Sequence, residues 1–158
     1  MKVIFLDIDG VCNTFQKRID PTISHQHWTP EILKAHGVEL GVRPELMNQV
    51  NEILTEVEAF VVITSSWRLS EWEKVKGLIE DYLLPGDVIG KTPYLPELTR
   101  GDEILAWLKD NLDVTHYVVL DDSAEENFPG VLDNFVRIDH HVGISDDDVA
   151  KAVKILSE

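Results

Sequence analysis

The chain has 158 residues and a hydrophobic fraction of 44%, which suit one globular domain with a sizeable core. No apolar run approaches the length of a membrane span, no signal-peptide pattern opens the chain, and the single cysteine, Cys12, excludes an internal disulfide framework, so a cytoplasmic location is the default expectation. The formal net charge of −15, from 29 acidic and 14 basic residues, argues against a membrane surface and an extended nucleic-acid footprint, but it permits contact with one strand end.

Strand-like and helix-like patterns alternate along the chain. In chain order they predict a strand at 3–6, a helix at 44–57, a strand at 60–63, a helix at 71–84, a weaker strand at 88–89, a helix at 102–112, strands at 117–120 and 135–138, and a helix that opens at Ser145. Buried strands that alternate with amphipathic helices predict an α/β fold with a central parallel sheet covered on both faces.

One stretch, residues 12–42, interrupts this alternation. It contains two prolines, three histidines and a tryptophan, with only a short helical hint. A loop this long inside a compact domain is usually functional. We therefore expect residues 1–158 to form a single domain in which 12–42 is a lid or small cap over the end of the first strand.

Polar side chains follow three of the predicted strands, where ligands bind in an open parallel sheet. Asp7 and Asp9 are two residues apart after the first strand, so their side chains can share one site, although an acidic surface turn would give the same pattern. The candidate site set is Asp7, Asp9, Thr64, Ser65, Arg68, Arg100, Asp121 and Asp122. Four acids, a hydroxyl cluster and a cation at one sheet edge are more informative than any one of these groups.

These residue types suit phosphoryl transfer. Carboxylates such as Asp7, Asp121 and Asp122, helped by the Asp9 carbonyl, are the hard oxygen ligands that Mg²⁺ takes. Asp7 is then the candidate nucleophile, which would form an aspartyl-phosphate, and Asp9 is the candidate acid and base.

The remaining candidates would bind the phosphate. Thr64 or Ser65 and nearby backbone N–H groups would donate to phosphate oxygens, and Arg100 would neutralise developing charge. The partner of Arg68 is open between the phosphate and an acidic neighbour.

Three motifs resemble those of the haloacid dehalogenase (HAD) superfamily of phosphohydrolases. FLDIDGV at 5–11 resembles its first motif, VVITSS at 61–66 its second and VVLDD at 118–122 its fourth. The resemblance implies a three-layer Rossmann-like fold, Asp7 as nucleophile, Asp9 as acid and base, and a Mg²⁺ site at Asp121 and Asp122. The third motif is normally a lysine, and here Arg100 takes the expected place, with Lys91 as the rival.

A narrower resemblance concerns the substrate. SSWR at 65–68, together with Arg100 and the residues after it, is similar to a small-cap branch in bacterial and phage RNA-repair proteins and to polynucleotide 3′-phosphatases. This resemblance implies a phosphate on a nucleotide or nucleic-acid end, whereas the net charge favours a small phosphate ester. The substrate and the oligomeric state stay open at this point.

Two other functions compete with a phosphatase. A phospho-accepting receiver-like signalling module also uses acids, a Thr or Ser and a basic residue around Mg²⁺, but its phosphorylated aspartate follows a middle strand, where this chain has Thr64. A catalytically idle binding domain of the same fold is the other alternative, and the full set of acids argues against it.

Overall fold

The computed structural model describes residues 1–14, 42–84 and 86–158. The predicted cap at 12–42 therefore lies almost entirely outside the described residues, and it stays a prediction. Cys12 and Val42, at its two ends, are buried in the core, and the N–H of Arg43 donates to the Cys12 carbonyl at 2.9 Å. The two ends of the segment thus meet beside the first strand.

Five parallel strands form the described sheet. They are β1 (Lys2–Leu6), β2 (Ala59–Ile63), β3 (Val88–Lys91), β4 (His116–Asp121) and β5 (Phe135–Arg137), in the spatial order β3-β2-β1-β4-β5. The uninterrupted apolar run of β1 occupies the centre of this sheet, as expected for a strand covered on both faces. The predicted strands, including the weaker third one, are confirmed.

The α-helices of the described residues are α1 (Pro44–Val57), α2 (Trp72–Glu80), α3 (Arg100–Asp110) and α4 (Asp146–Ser157). The bounds predicted for α1 are confirmed. The expected ends of α2 and α3 are wrong, because α2 stops at Glu80 and α3 at Asp110. The predicted start of α3 is also two residues late, since the Thr99 hydroxyl accepts a hydrogen bond from the N–H of Asp102 and so caps the helix before Arg100.

The helices cover the sheet on both faces and make three layers. Ile4 and Leu6 of β1 pack into a cluster with α1, α2 and α4, whereas Val3 and Phe5 pack against α3 on the other face. This separation follows from the alternation of side chains along an extended strand. The three-layer α/β fold is therefore confirmed. None of the described helices has the length and apolar composition needed to cross a bilayer.

Candidate active site

The carboxyl ends of β1, β2 and β4 bring three polar residues side by side. Leu6, the last residue of β1, is in register with Ile63 and Leu120. The next backbone links continue this register, because the N–H of Asp7 donates to the Leu120 carbonyl and the N–H of Thr64 donates to the Leu6 carbonyl, both at 3.0 Å. Asp7, Thr64 and Asp121 therefore lie at one edge of the sheet, and all three are buried.

The acids form a compact cluster. One carboxylate oxygen from each of Asp7, Asp121 and Asp122 lies within 4.8 Å of the other two. Burial raises the pKa of Asp7 well above its ordinary value, and the charge of Asp121 raises it further. Burial and the charge of Asp121 also raise the pKa of Asp122, to about 7. Three hard oxygen donors that repel one another fit a divalent cation such as Mg²⁺.

Arg100 supplies the positive charge that faces this cluster. Its Nη1 lies 3.2 Å from Asp7 Oδ1 and 2.5 Å from Asp121 Oδ2. Burial alone would lower the pKa of Arg100, but the charges of Asp121 and Asp7 outweigh burial and raise that pKa above its ordinary value. Arg100 therefore stays protonated and partly neutralises the acids.

Gly101 lets the first turn of α3 reach the site. A Cβ on Gly101 would stand 2.7 Å from the Pro129 carbonyl oxygen and 2.8 Å from the carbonyl carbon of Phe128. Only a residue without a side chain permits so close an approach of α3 to this backbone. Since Gly101 follows Arg100 directly, this contact fixes the position of the backbone from which the Arg100 side chain extends.

The turn after β1 presents Asp9 to the same edge. Gly10 has a positive φ of 82°, and a Cβ there would collide with the Asp122 carboxylate. Asp9 Oδ1 accepts a hydrogen bond from Asn13 Nδ2 at 3.0 Å, and its Oδ2 accepts one from Trp67 Nε1 at 2.9 Å. Burial raises the pKa of Asp9 to about 6, although both hydrogen bonds oppose that shift.

The two hydroxyls after β2 differ in their contacts. Thr64 is fully buried, and among the described residues its Oγ1 has no hydrogen-bond partner. An orphaned buried hydroxyl is costly, and a bound phosphate oxygen at this edge would satisfy it. Ser65 Oγ instead accepts a hydrogen bond from the N–H of Trp67 at 3.3 Å and caps the 3₁₀-helix Ser66–Leu69.

Arg68 has an acidic partner within the protein. Its Nη2 lies 2.6 Å from Glu103 Oε2, and both side chains are buried. Its guanidinium also donates to backbone carbonyls, including those of Ser65 and Thr92. Burial lowers the pKa of Arg68, while Glu103 opposes that shift. Of the two partners that the sequence leaves open, the structure contains the acidic neighbour, and a phosphate contact by Arg68 stays a prediction.

The two candidate cations for the third motif lie in different places. Arg100 contacts two acids of the cluster, whereas Lys91 Nζ donates to the Arg68 carbonyl at 3.1 Å and lies 5.0 Å from the centre of the Trp72 ring. Arg100 is thus the cation that the fold brings to Asp7.

A cleft of about 360 Å³ opens beside Arg100. Its charged wall residues are Arg68, Arg100 and Glu103, of which Arg68 and Glu103 pair with each other. The rest of the wall is neutral and includes Tyr94, Leu98, Thr99, Ser123 and Asn127. The volume falls within the range typical of small-molecule sites.

A second group of potential metal ligands, which contains two histidines, lies near the turn after β1. Asp139, His140 and His141 offer three ligand atoms within 4.8 Å of one another, but all three residues are exposed. His140 stands against the turn after β1, because its Cβ would lie 3.0 Å from a Cβ placed on Gly10. His140 and His141 are thus surface residues, and His140 lies beside the turn after β1.

Three contacts were not anticipated from the sequence. Asn13 and Trp67 hold Asp9, and Glu103 pairs with Arg68. The sequence offered no signal for the contact of Trp67 or of Asn13 with Asp9. For Arg68, the sequence left an acidic neighbour open as a partner, but it did not identify Glu103.

A family model described as "HAD domain in Swiss Army Knife RNA repair proteins" matches residues 3–149. The match runs from β1 into α4 and spans every candidate site residue. No curated protein and no solved structure matches the chain.

Proposed function

The chain belongs to the family of HAD domains in Swiss Army Knife RNA repair proteins, and from this premise we propose that it is a Mg²⁺-dependent phosphomonoesterase. Membership makes it a HAD-type, phosphohydrolase-like domain. The observation that carries the finer proposal is the cluster of Asp7, Asp121 and Asp122 faced by Arg100 at the carboxyl edge of the sheet.

The proposed reaction has two displacements at phosphorus. In the first, an Asp7 carboxylate oxygen forms a bond to phosphorus while the bond to the leaving oxygen breaks, and the leaving oxygen takes a proton from Asp9. In the second, a water oxygen forms a bond to phosphorus and the water gives a proton to Asp9, while the bond between phosphorus and the Asp7 oxygen breaks; the Asp7 carboxylate is regenerated and inorganic phosphate leaves. Arg100 and the Thr64 hydroxyl would contact phosphate oxygens, where charge accumulates.

The acids also suit the proposed cofactor. Asp7, Asp121 and Asp122 would hold Mg²⁺, with the backbone carbonyl of Asp9 as a further oxygen ligand. The bound ion would screen the negative phosphate from the negative nucleophile.

The proposed substrate is a phosphate on a nucleotide or a nucleic-acid end. The description of the matching family, which refers to RNA repair, supports this class. The cleft beside Arg100 offers neutral polar and apolar surface, and among its described wall residues Arg100 is the one cation not paired with Glu103. The protein has a net charge of −15, which repels a long phosphodiester backbone. Such a cleft therefore suits one terminal nucleotide better than an extended strand.

The mechanism is tested by phosphate release from an aryl phosphate in the presence of Mg²⁺, compared with Asp7→Asn. We expect the variant to lose activity by about a thousandfold or more, because no other group replaces the nucleophile. Asp81→Asn, at an exposed position outside the site, is the matched control and should keep full activity. Equal rates for wild type and Asp7→Asn would contradict the mechanism, and a phospho-protein that persists for hours would favour the receiver-like alternative.

The substrate class is tested by a panel of sugar phosphates, mononucleotides, and oligonucleotides phosphorylated at the 3′ or 5′ end. A higher kcat/KM for nucleotides or oligonucleotide ends supports the proposal. Preference for sugar phosphates would reject it and leave the phosphatase mechanism intact. Absence of phosphate release from every member would instead favour the idle binding domain.

A further inference from the structure

The carboxyl group of Asp9 is held at both oxygens by side chains from two different segments. We infer that Trp67 and Asn13 are positioning residues, which fix the Asp9 carboxyl in the orientation needed for proton transfer to the leaving group. The inference rests on the proposed function, because it assigns these two residues to the step in which Asp9 protonates the leaving oxygen.

Trp67 provides the first of the two contacts. Its side chain is 1% exposed, and its one polar atom, Nε1, donates to Asp9 Oδ2 at 2.9 Å. A buried indole N–H needs an acceptor, and here the acceptor is the candidate acid and base. The indole thus joins the 3₁₀-helix Ser66–Leu69 after β2 to the turn after β1.

The position of Trp67 is itself fixed. The backbone N–H of Trp67 donates a hydrogen bond to the Ser65 hydroxyl at 3.3 Å. The next residue, Arg68, forms an ion pair with Glu103. A side chain whose backbone is held on both sides keeps its donor in one place. The indole N–H can therefore hold the carboxyl group of Asp9 in one orientation.

Asn13 provides the second contact from within the same turn as Asp9. Its Oδ1 accepts a hydrogen bond from the N–H of Gly10 at 3.1 Å, which directs its Nδ2 toward Asp9 Oδ1 at 3.0 Å. With one donor on each oxygen, rotation of the carboxyl plane breaks at least one hydrogen bond.

Neither contact competes with Asp9 for the proton. The indole N–H and the amide NH₂ are donors only, so they cannot accept the proton that Asp9 transfers. The proton of Asp9 must then occupy a lone pair that faces away from both donors. Fixing that direction keeps the proton in line with the leaving oxygen, and small losses of alignment are costly in rate.

The test is Trp67→Phe, which keeps an aromatic ring and removes the donor. Because kcat/KM reports the steps up to loss of the leaving group, it should depend on how much that group needs a proton. For an alkyl phosphate we expect kcat/KM to fall about tenfold or more, since general acid catalysis contributes roughly 10²–10⁴-fold. For 2,4-dinitrophenyl phosphate, whose leaving group departs without a proton, we expect a change of less than about threefold.

Trp107→Phe is the matched control. Trp107 packs edge-on against Phe5 at 5.4 Å on the other face of the sheet, so its replacement should not change the ratio of the two kcat/KM values. Asn13→Ala removes the second contact at a partly buried turn position, and it should change the ratio in the same direction as Trp67→Phe. It therefore decides the question if Trp67→Phe fails to fold.

An equal loss with both esters, or no loss with either, would overturn the positioning role while wild-type turnover upholds the phosphatase. If the wild-type protein releases no phosphate from either ester, the proposed function itself fails. The two failures are therefore distinguishable in the same set of assays.

Discussion

Two charged groups lie one helical turn apart along α3, and they differ in how their charges balance. Glu103 pairs with Arg68 at 2.6 Å, one anion with one cation, and both side chains are almost fully buried. Arg100 instead pairs with Asp7 and Asp121 beside Asp122, so in the described part of the chain one cation faces a cluster of three acids.

The difference in charge balance separates an ion pair that supports the fold from a cluster that suits binding and chemistry. Glu103 also accepts a hydrogen bond from the N–H of Leu95 at 2.8 Å, so the balanced pair joins α3, the segment before it and the 3₁₀-helix after β2. In the unbalanced cluster, burial and then repulsion raise the pKa values of Asp7 and Asp122. A bound cation would reduce this repulsion between the acids. We therefore expect changes at the pair to reduce stability, and changes in the cluster to reduce binding and rate.

The largest expected effect on stability is that of Glu103→Gln. This change leaves the Arg68 charge buried without its counterion, which should lower the free energy of unfolding by about 3–5 kcal/mol. Urea denaturation followed by circular dichroism measures the difference. Glu45→Gln, which breaks the exposed Arg43–Glu45 pair, is the matched control and should leave the free energy of unfolding nearly unchanged.

The double variant Arg68→Met with Glu103→Leu separates the pair from its surroundings. Replacing both charged residues by apolar ones leaves no unpaired charge buried at this position. The double variant should therefore be more stable than Glu103→Gln alone. If it is less stable, the carbonyl contacts of Arg68 matter more than its ion pair. The interpretation of a balanced pair would then fail.

The second prediction concerns Mg²⁺, which should stabilise the protein through the unbalanced cluster. At a concentration one hundred times its Kd, an ion that binds only the folded state adds about 2.7 kcal/mol. Thermal unfolding with Mg²⁺ and with EDTA measures this increment. Asp122→Asn removes one ligand and should reduce the increment, whereas Glu103→Gln should keep it despite its lower starting stability.

An increment that survives in Asp122→Asn but disappears in Glu103→Gln would reverse the comparison. The ion would then act at or near the balanced pair. An equal increment in all three proteins would place Mg²⁺ binding outside both groups.

The fold could be predicted from the sequence because local patterns determine most of it. The apolar run of β1 and the helical spacing in α1 each depend on neighbouring residues alone, and both elements were predicted closely. The errors occurred at helix ends. Helical spacing predicted that α3 ends at Leu112, which is 88% exposed, and it did not indicate the Thr99 cap. A side chain at helical spacing does not show by itself whether the helix still continues.

The candidate site could be predicted in part. The rule that strand ends share one edge brought Asp7, Thr64 and Asp121 together correctly, since parallel register follows from topology. The contacts of Trp67 and Arg68 could not be predicted, because they depend on how a short 3₁₀-helix turns after β2. A tryptophan or arginine at such a position has several possible partners, and the tertiary packing selects one.

The smallest expected effect compares two helix starts that share one capping arrangement. The backbone N–H and the hydroxyl of Thr99 both donate hydrogen bonds to the carboxylate of Asp102, three residues later. Ser145 makes the same two hydrogen bonds to Asp148. Thr99→Ala and Ser145→Ala should each lower the free energy of unfolding by about 1 kcal/mol, measured by urea denaturation.

The activities of the two cap variants should differ although their stabilities match. Thr99 precedes Arg100, so loosening this cap moves the cation that faces Asp7, whereas Ser145 starts α4, which carries none of the candidate site residues. Thr99→Ala should therefore lower kcat/KM about three- to tenfold, because small displacements of a charge-stabilising group are costly in rate. Ser145→Ala should leave it unchanged, and Thr99→Ser, which keeps the hydroxyl, should restore it. Equal activity in both alanine variants would mean that the Gly101 contact alone holds Arg100 in place, and that the start of α3 is fixed by packing rather than by its cap.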